Sequence, residues 1–147
     1  ECVNLLRKST WGSNLALKLD IKKAFDTMDW DFICNVLTGF RFNQKFICWI
    51  KNPLGSTRIS VLINGSPEGY FHCSRGVSQG DPLSSIIYSI DEDYLSRLFL
   101  HMVDSGELKT IRDSCATNAP SHLFFADDII IFSQGDQSNI KNIKEIH

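Results

Sequence analysis

The sequence predicts an α+β domain in which strands pair as hairpins and helices pack against them. Three observations carry that reading. Leu15-Ala16-Leu17-Lys18-Leu19-Asp20-Ile21 alternates strictly, the period of a strand with one face turned inward. Asn64-Gly65 directly follows a second alternating run, Ile59, Val61 and Ile63, and that dipeptide is the strongest short hairpin signal. Leu83, Ile86, Ile87, Ile90, Tyr94, Leu98 and Met102 recur at helical spacing. The regular strand–helix alternation of a parallel sheet is missing from the pattern.

The elements follow in order. The first strand places Leu15, Leu17, Leu19 and Ile21 on one face and Ala16, Lys18 and Asp20 on the other. A helix is expected from about Trp30 to Thr38, with Asp29 as its N-cap and Gly39 as its C-terminal glycine. A short helix over Gln44–Lys51 is expected to be closed by Pro53. The hairpin pairs Arg58–Ile63 with a return strand over Gly69–Cys73. A polar loop, Ser74 to Asp81, leads into the long helix, with Pro82 in its first turn and Asp93 and Arg97 as an i,i+4 pair. Residues 105–120 read as loop. Leu123-Phe124-Phe125 and Ile129-Ile130-Ile131-Phe132 read as two fully buried strands, with Ala126-Asp127-Asp128 as the tight turn between them. Glu1 to Leu6 and Ser138 to His147 read as pieces of helix, and the chain is expected to be a fragment of a longer polypeptide.

Composition narrows the class. Of 147 residues, 43% are hydrophobic and 22% charged, a globular balance rather than a disordered one. The apolar runs are far shorter than the eighteen or so residues of a membrane span, and no secretion signal begins the chain. Residues 1–75 hold ten Lys or Arg against six Asp or Glu, and residues 76–147 hold five against eleven. The overall charge of −2 disfavours nucleic-acid binding unless basic parts lie outside this chain. The five cysteines, at 2, 34, 48, 73 and 115, form no C-x-x-C pair and are expected to be buried and inert.

Asp127 and Asp128 are the sharpest chemical feature. They interrupt a run from Leu123 to Phe132 that is otherwise wholly apolar. Two like charges about 4 Å apart repel by roughly 4 kcal/mol at an effective dielectric near 20, and a divalent cation would reverse that cost. Alone, the pair also fits an exposed Asp-Asp turn. Asp20, at the end of a second apolar strand, fits either a satisfied strand-end carboxylate or the third acid that a two-metal phosphoryl-transfer site needs. Hard oxygen ligands suit Mg²⁺ or Mn²⁺. Phe25 fits either a core position or a ring packed under a nucleotide sugar. The segment from Ser74 to Ser84 fits a polar loop capping the long helix, or a ligand loop in which two glycines allow close backbone approach. Gln79 offers donor and acceptor, and Arg75 can reach a phosphate. The glycine spacing matches neither G-x-G-x-x-G nor a Walker A loop.

Taken in order, three segments resemble motifs of the reverse transcriptases of LINE-type, non-LTR retrotransposons, especially plant ones. Leu17-Lys18-Leu19-Asp20-Ile21-Lys22-Lys23-Ala24-Phe25-Asp26 is similar to the first acidic motif. Arg75-Gly76-Val77-Ser78-Gln79-Gly80-Asp81-Pro82-Leu83-Ser84 is similar to the R-G-x-x-Q-G-x-P-L-S motif. Phe125-Ala126-Asp127-Asp128 is similar to the F-A-D-D box. Ile63-Asn64-Gly65, Gly69-Tyr70-Phe71 and Leu95-Ser96-Arg97 agree as well. The resemblance covers nearly the whole chain. Ser85 departs from it, standing where the family usually has proline; serine should tolerate the same early-helix geometry.

The resemblance implies an RNA-directed DNA polymerase. Its fold would be the palm of a right-hand polymerase, an antiparallel sheet backed by helices, with partial fingers. The upstream fingers segment and the thumb would lie outside residues 1–147. Asp20, Asp127 and Asp128 would bind two Mg²⁺ ions, with the backbone carbonyl of Ile21 as a further ligand. Phe25 would be the steric gate against a ribose 2′-OH. Gln79 and Gly80 would line the nucleotide site, and Lys22 and Arg75 would lie near phosphates. The partners would be an RNA template, a DNA primer and deoxynucleoside triphosphates, with a nuclear parent element and no membrane. Two alternatives stand beside this. One is an inactive relic or nucleic-acid-binding scaffold that keeps the fold; isolated residues 1–147 are expected to be inactive in either case. The other is a group II intron maturase or telomerase-like polymerase, against which Gly69-Tyr70-Phe71 and Asp81-Pro82 favour the retrotransposon group.

Overall fold

A computed structural model describes residues 14–111 and 120–145. The expected helix over Glu1–Leu6, and Cys2 and Cys115, lie outside the described residues. The elements are β1 (Asn14–Asp20), α1 (Ala24–Thr27), α2 (Trp30–Gly39), α3 (Gln44–Ser56), β2 (Arg58–Ile63), β3 (Ser66–His72), α4 (Pro82–Asp104), β4 (His122–Phe125), β5 (Asp128–Gln134) and α5 (Gln137–Glu145). The mixture of helices with antiparallel sheets is the α+β class that the sequence predicts. The described residues divide into two compact units, one of residues 22–92 and one joining residues 14–21 with 93–111 and 120–145. No helix of the described residues is long and apolar enough to cross a membrane.

In the unit of residues 22–92, the Asp29 carboxylate accepts from the backbone N–H groups of Asp31 and Phe32, both at 2.9 Å. That satisfies two of the donors a helix start leaves open. Ile33, Val36 and Leu37 then line the buried side of α2. The helix ends differently from the expectation. It runs through Gly39, and Arg41 takes the left-handed position at φ 61°. Phe42 N–H reaches Leu37 O at 3.0 Å and Arg41 N–H reaches Thr38 O at 2.9 Å, the paired bonds of a Schellman closure. Pro53 also departs from the expectation, because α3 continues past it to Ser56. The missing proline N–H falls near the end of the helix. There the Ser56 and Thr57 hydroxyls bond to the Pro53 carbonyl at 3.1 and 2.8 Å. Ile33, Leu37, Ile47, Ile50, Val77 and Ile87 form one buried core.

The hairpin holds. Ile63 pairs with Ser66, and Asn64 and Gly65 both take positive φ, at 51° and 86°, as a two-residue turn of this twist requires. The return strand begins earlier than expected, at Ser66. The Asp81 side chain accepts from Leu83 N–H at 2.9 Å, so it caps α4 with Pro82 as the first helical residue.

In the other unit, β1, β5 and β4 form an antiparallel sheet in that order. Leu17, Leu19, Ile129, Ile131 and Phe124 from the strands join Phe99 and Met102 of α4 and Ile143 of α5 in a second core. Helices therefore back one face of this sheet. The strand β5 is buried except for half-buried Asp128, Ile130 and Gln134, and β4 is not buried: Leu123 is 48% and Phe125 80% exposed. Those two point to the face opposite Phe124, which the helices do not cover. The expected loop is held from Leu108 to Ile111. Buried Asn139 accepts from Lys109 N–H and donates to Lys109 O, both at 3.1 Å, and donates to Gln134 O at 2.9 Å. The three described cysteines are less buried than expected. Cys48 is exposed, and Cys34 and Cys73 are half-buried; Cys34 packs only against the margin of the first core, and Cys48 and Cys73 belong to neither core.

Asp91 sits within α4 with both carboxylate oxygens buried and without a hydrogen-bond partner among the described residues. Burial raises its pKa from 3.8 to about 7. The folded chain thus keeps a proton there that the unfolded chain has released, so this group's contribution to stability falls as pH rises from about 4 to about 7. Replacing Asp91 with Asn removes the titration. The stability of Asp91→Asn relative to the native chain should therefore increase by about 1–2 kcal/mol between pH 5 and pH 8, allowing for partial exposure. Urea unfolding of both proteins at the two pH values measures it, and titrations common to both cancel in the difference.

Candidate functional site

The acidic residues gather at one end of the three-stranded sheet. Register fixes this: Leu19 pairs with Ile129, Asp20 with Asp128, and Phe125 with Asp128. Directly opposed residues on antiparallel strands share a face, with their Cβ atoms about 4.5–5.5 Å apart. Asp20 and Asp128 therefore lie on the face opposite Leu19 and Ile129. The turn from β4 to β5 consists of Ala126 and Asp127, with Ala126 at φ 53°. Its Asp127 carbonyl accepts from Ile21 N–H at 3.0 Å, extending the strand pairing one residue beyond β1. Asp20, Ile21, Asp127 and Asp128 are thus neighbours through the backbone.

Two opposed carboxylates repel, and a lysine answers them. Lys18 Nζ lies 2.7 Å from Asp128 Oδ2. Bonding to Asp128 and its charge raise the Lys18 pKa, with smaller contributions from Asp20 and Asp127. Among the described residues, no three His, Cys, Asp or Glu side chains converge as a ready cation cage. The sequence reading flagged Lys22 and passed over Lys18. The signal was its spacing: two residues before Asp20 on a strand is the same face.

The other expected residues lie in the unit of residues 22–92. Phe25 stacks on Tyr88, with ring centroids 4.9 Å apart and planes 28° apart. Arg75 and Gln79 line a cleft of about 420 Å³ with Asp26, Trp30, Gly76 and Val77. Gly80, at φ 88°, is exposed and has open space around it. The loop is bound to α1 and to the segment that leads from it into α2. Gly76 N–H donates to Met28 O at 2.8 Å, Val77 N–H to Phe25 O at 2.8 Å, and the Trp30 indole to Gly76 O at 2.7 Å. Trp30 and Asp26 thus belong to the cleft, although the sequence reading gave them no role there.

A family model described as reverse transcriptase (RNA-dependent DNA polymerase) matches residues 3–147. The chain belongs to the reverse transcriptase family. It is 30% identical over 116 residues to the retrovirus-related Pol polyprotein from a type-2 retrotransposable element of Drosophila melanogaster, covering 79% of this chain and 10% of that protein. It is 32% identical over 124 residues to an uncharacterized 149 kDa protein of transposon TX1 from Xenopus laevis, covering 84% of this chain and 9% of that one. It is also 42% identical over 67 residues to an uncharacterized mitochondrial protein of Arabidopsis thaliana, 46% of this chain and 55% of that protein. The chain therefore spans about a tenth of the first two relatives. Their names bear out the retrotransposon resemblance, and the Arabidopsis match is a slight pointer to plants.

In this reverse transcriptase domain, the second motif depends on one glycine. A Cβ on Gly76 would stand 2.6 Å from the Asp26 carbonyl oxygen, and its φ of +86° already disfavours a side chain. Gly76→Ala should lower stability by about 2–4 kcal/mol. Gly80→Ala meets no atom within 4 Å and should cost only the backbone strain, about 1 kcal/mol. Denaturation midpoints of the two variants measure the contrast.

Proposed function

We propose that this chain is the palm-centred core of an RNA-directed DNA polymerase that adds deoxynucleotides to a primer 3′-OH by two-metal nucleotidyl transfer. The observation that carries the reading is the pairing of Asp20 with Asp128 beside the Asp127 turn. The donor set fits the ion: every candidate ligand is a hard oxygen, as Mg²⁺ prefers and Mn²⁺ accepts. The Lys18 ammonium on Asp128 supports the fit, since it marks a place where positive charge is held. Asp20, Asp127 and Asp128 would hold the ions with the carbonyl of Ile21. When bound, such ions lower the pKa of the primer hydroxyl and neutralise the triphosphate and the leaving pyrophosphate.

The remaining roles belong to the chain's own groups. The Phe25 ring, steadied by Tyr88, closes the space that a 2′-OH would need and so selects deoxynucleotides. Gln79 and Gly80 line the nucleotide site, and Arg75 holds a phosphate by charge-assisted hydrogen bonds. The open cleft beside Arg75 and Gln79 supports that assignment. The RNA template and DNA primer are gripped largely by segments outside this chain, consistent with its net charge of −2.

Deoxynucleotide incorporation on a primed RNA template with Mg²⁺ tests the reading in the full open reading frame that carries this chain. Asp20→Ala and Asp127→Ala should each lower the rate about 100-fold or more, the several kcal/mol that a metal site supplies. Phe25→Ala should keep deoxynucleotide incorporation while admitting ribonucleotides. A folded parent protein that incorporates nothing would favour the inactive relic.

A further inference from the structure

The metal reading leaves Lys18 without a role, yet among the described residues Lys18 makes the closest charged contact at the acidic sheet end. Its Cα pairs with Ile130, placing it diagonal to Asp128 on the face it shares with Asp20. Its ammonium reaches Asp128 Oδ2 at 2.7 Å while its side chain stays 63% exposed, against 29% for Asp128. The carboxylates around it do not close into a cage.

We propose that Lys18 is a displaceable counter-ion: it stands on Asp128 in place of a divalent cation and must leave when one binds, so it sets how much metal the site requires. The inference rests on the metal assignment above. Like charges opposed on paired strands need a neutralising partner whenever no cation is present. Lys18 supplies one positive charge from the same strand as Asp20. While it does so, it holds Asp128 towards itself. A lysine suits this work. Its ammonium is a compact point charge on a flexible stem, and an exposed ion pair is weak enough to be broken. Lys18 is a positioning residue for Asp128, and it has no contact with the reacting atoms in this role.

Mn²⁺ binding to the full chain, followed by the paramagnetic signal of the free ion, tests this without any polymerase assay. Lys18→Gln and Lys18→Met should each bind Mn²⁺ about three- to fivefold more tightly than the native chain, the scale of an exposed ion pair. Lys18→Arg keeps the charge and adds a fork that grips carboxylates, so it should bind no more tightly than the native chain. Lys141→Gln removes a lysine from α5 and should leave the affinity unchanged. Native binding that Asp128→Asn weakens but Lys18→Gln leaves unaltered would overturn the proposal and spare the metal site. Absence of Mn²⁺ binding in every form would overturn both. Circular dichroism of each variant checks folding; collapse of both neutral variants would make Lys18 a structural strut and also overturn the proposal.

Discussion

Side chains alternate across a strand, so sliding β1 by one residue along β5 would send Asp20 into the core and Leu19 into water. The observed register forbids that. Leu17 and Leu19 join the apolar core with Ile129 and Ile131, and the same pairing leaves Lys18, Asp20 and Asp128 on the uncovered face. Burial of the leucines thus positions the carboxylates. The apolar energy of one face fixes chemistry on the other, and the turn at Ala126 and Asp127 needs only to close the hairpin. Repulsion between the opposed acids is a local cost that the core absorbs and that Lys18 offsets.

The loop of residues 74–81 is organised by a different constraint, close backbone approach. Three hydrogen bonds tie Gly76 and Val77 to Phe25, Met28 and Trp30. They form only because residue 76 has no side chain to strike Asp26. The consequence is a short, fixed path from that loop into α4, where Asp81 and Pro82 start the helix. Val77 and Ile87 anchor the two ends in one core. Arg75 and Gln79 remain at the surface of the cleft because neither has apolar bulk to bury.

Much of this was legible in the sequence because it obeys local periodicity. The alternation of residues 15–21, the Asn64-Gly65 turn, the Asp29 cap and the long helix from Pro82 are local signals, and each appears where expected. The acidic motifs could be named, but their meeting depends on the pairing of β1 with β5 across more than a hundred residues, which no local pattern encodes. Two punctuation signals misled. Gly39 lies inside its helix because Arg41 accepts the left-handed closure, and Pro53 falls late enough in α3 to be tolerated. The exposure of β4 was missed because an apolar tripeptide reads the same whether one face or two are covered. Lys18 was missed because the strand pattern marks its face but cannot show which partner lies diagonally across.

On the proposed reading, the β1–β5 register builds a cation site whose empty form is held by Lys18. The most direct measurement is anomalous diffraction from crystals of the chain soaked in Mn²⁺. Density should lie within coordination distance of carboxylate oxygens of both Asp20 and Asp128, with the Lys18 ammonium moved off Asp128. Mn²⁺ bound only elsewhere, or bound here with the Lys18–Asp128 pair intact, would contradict it.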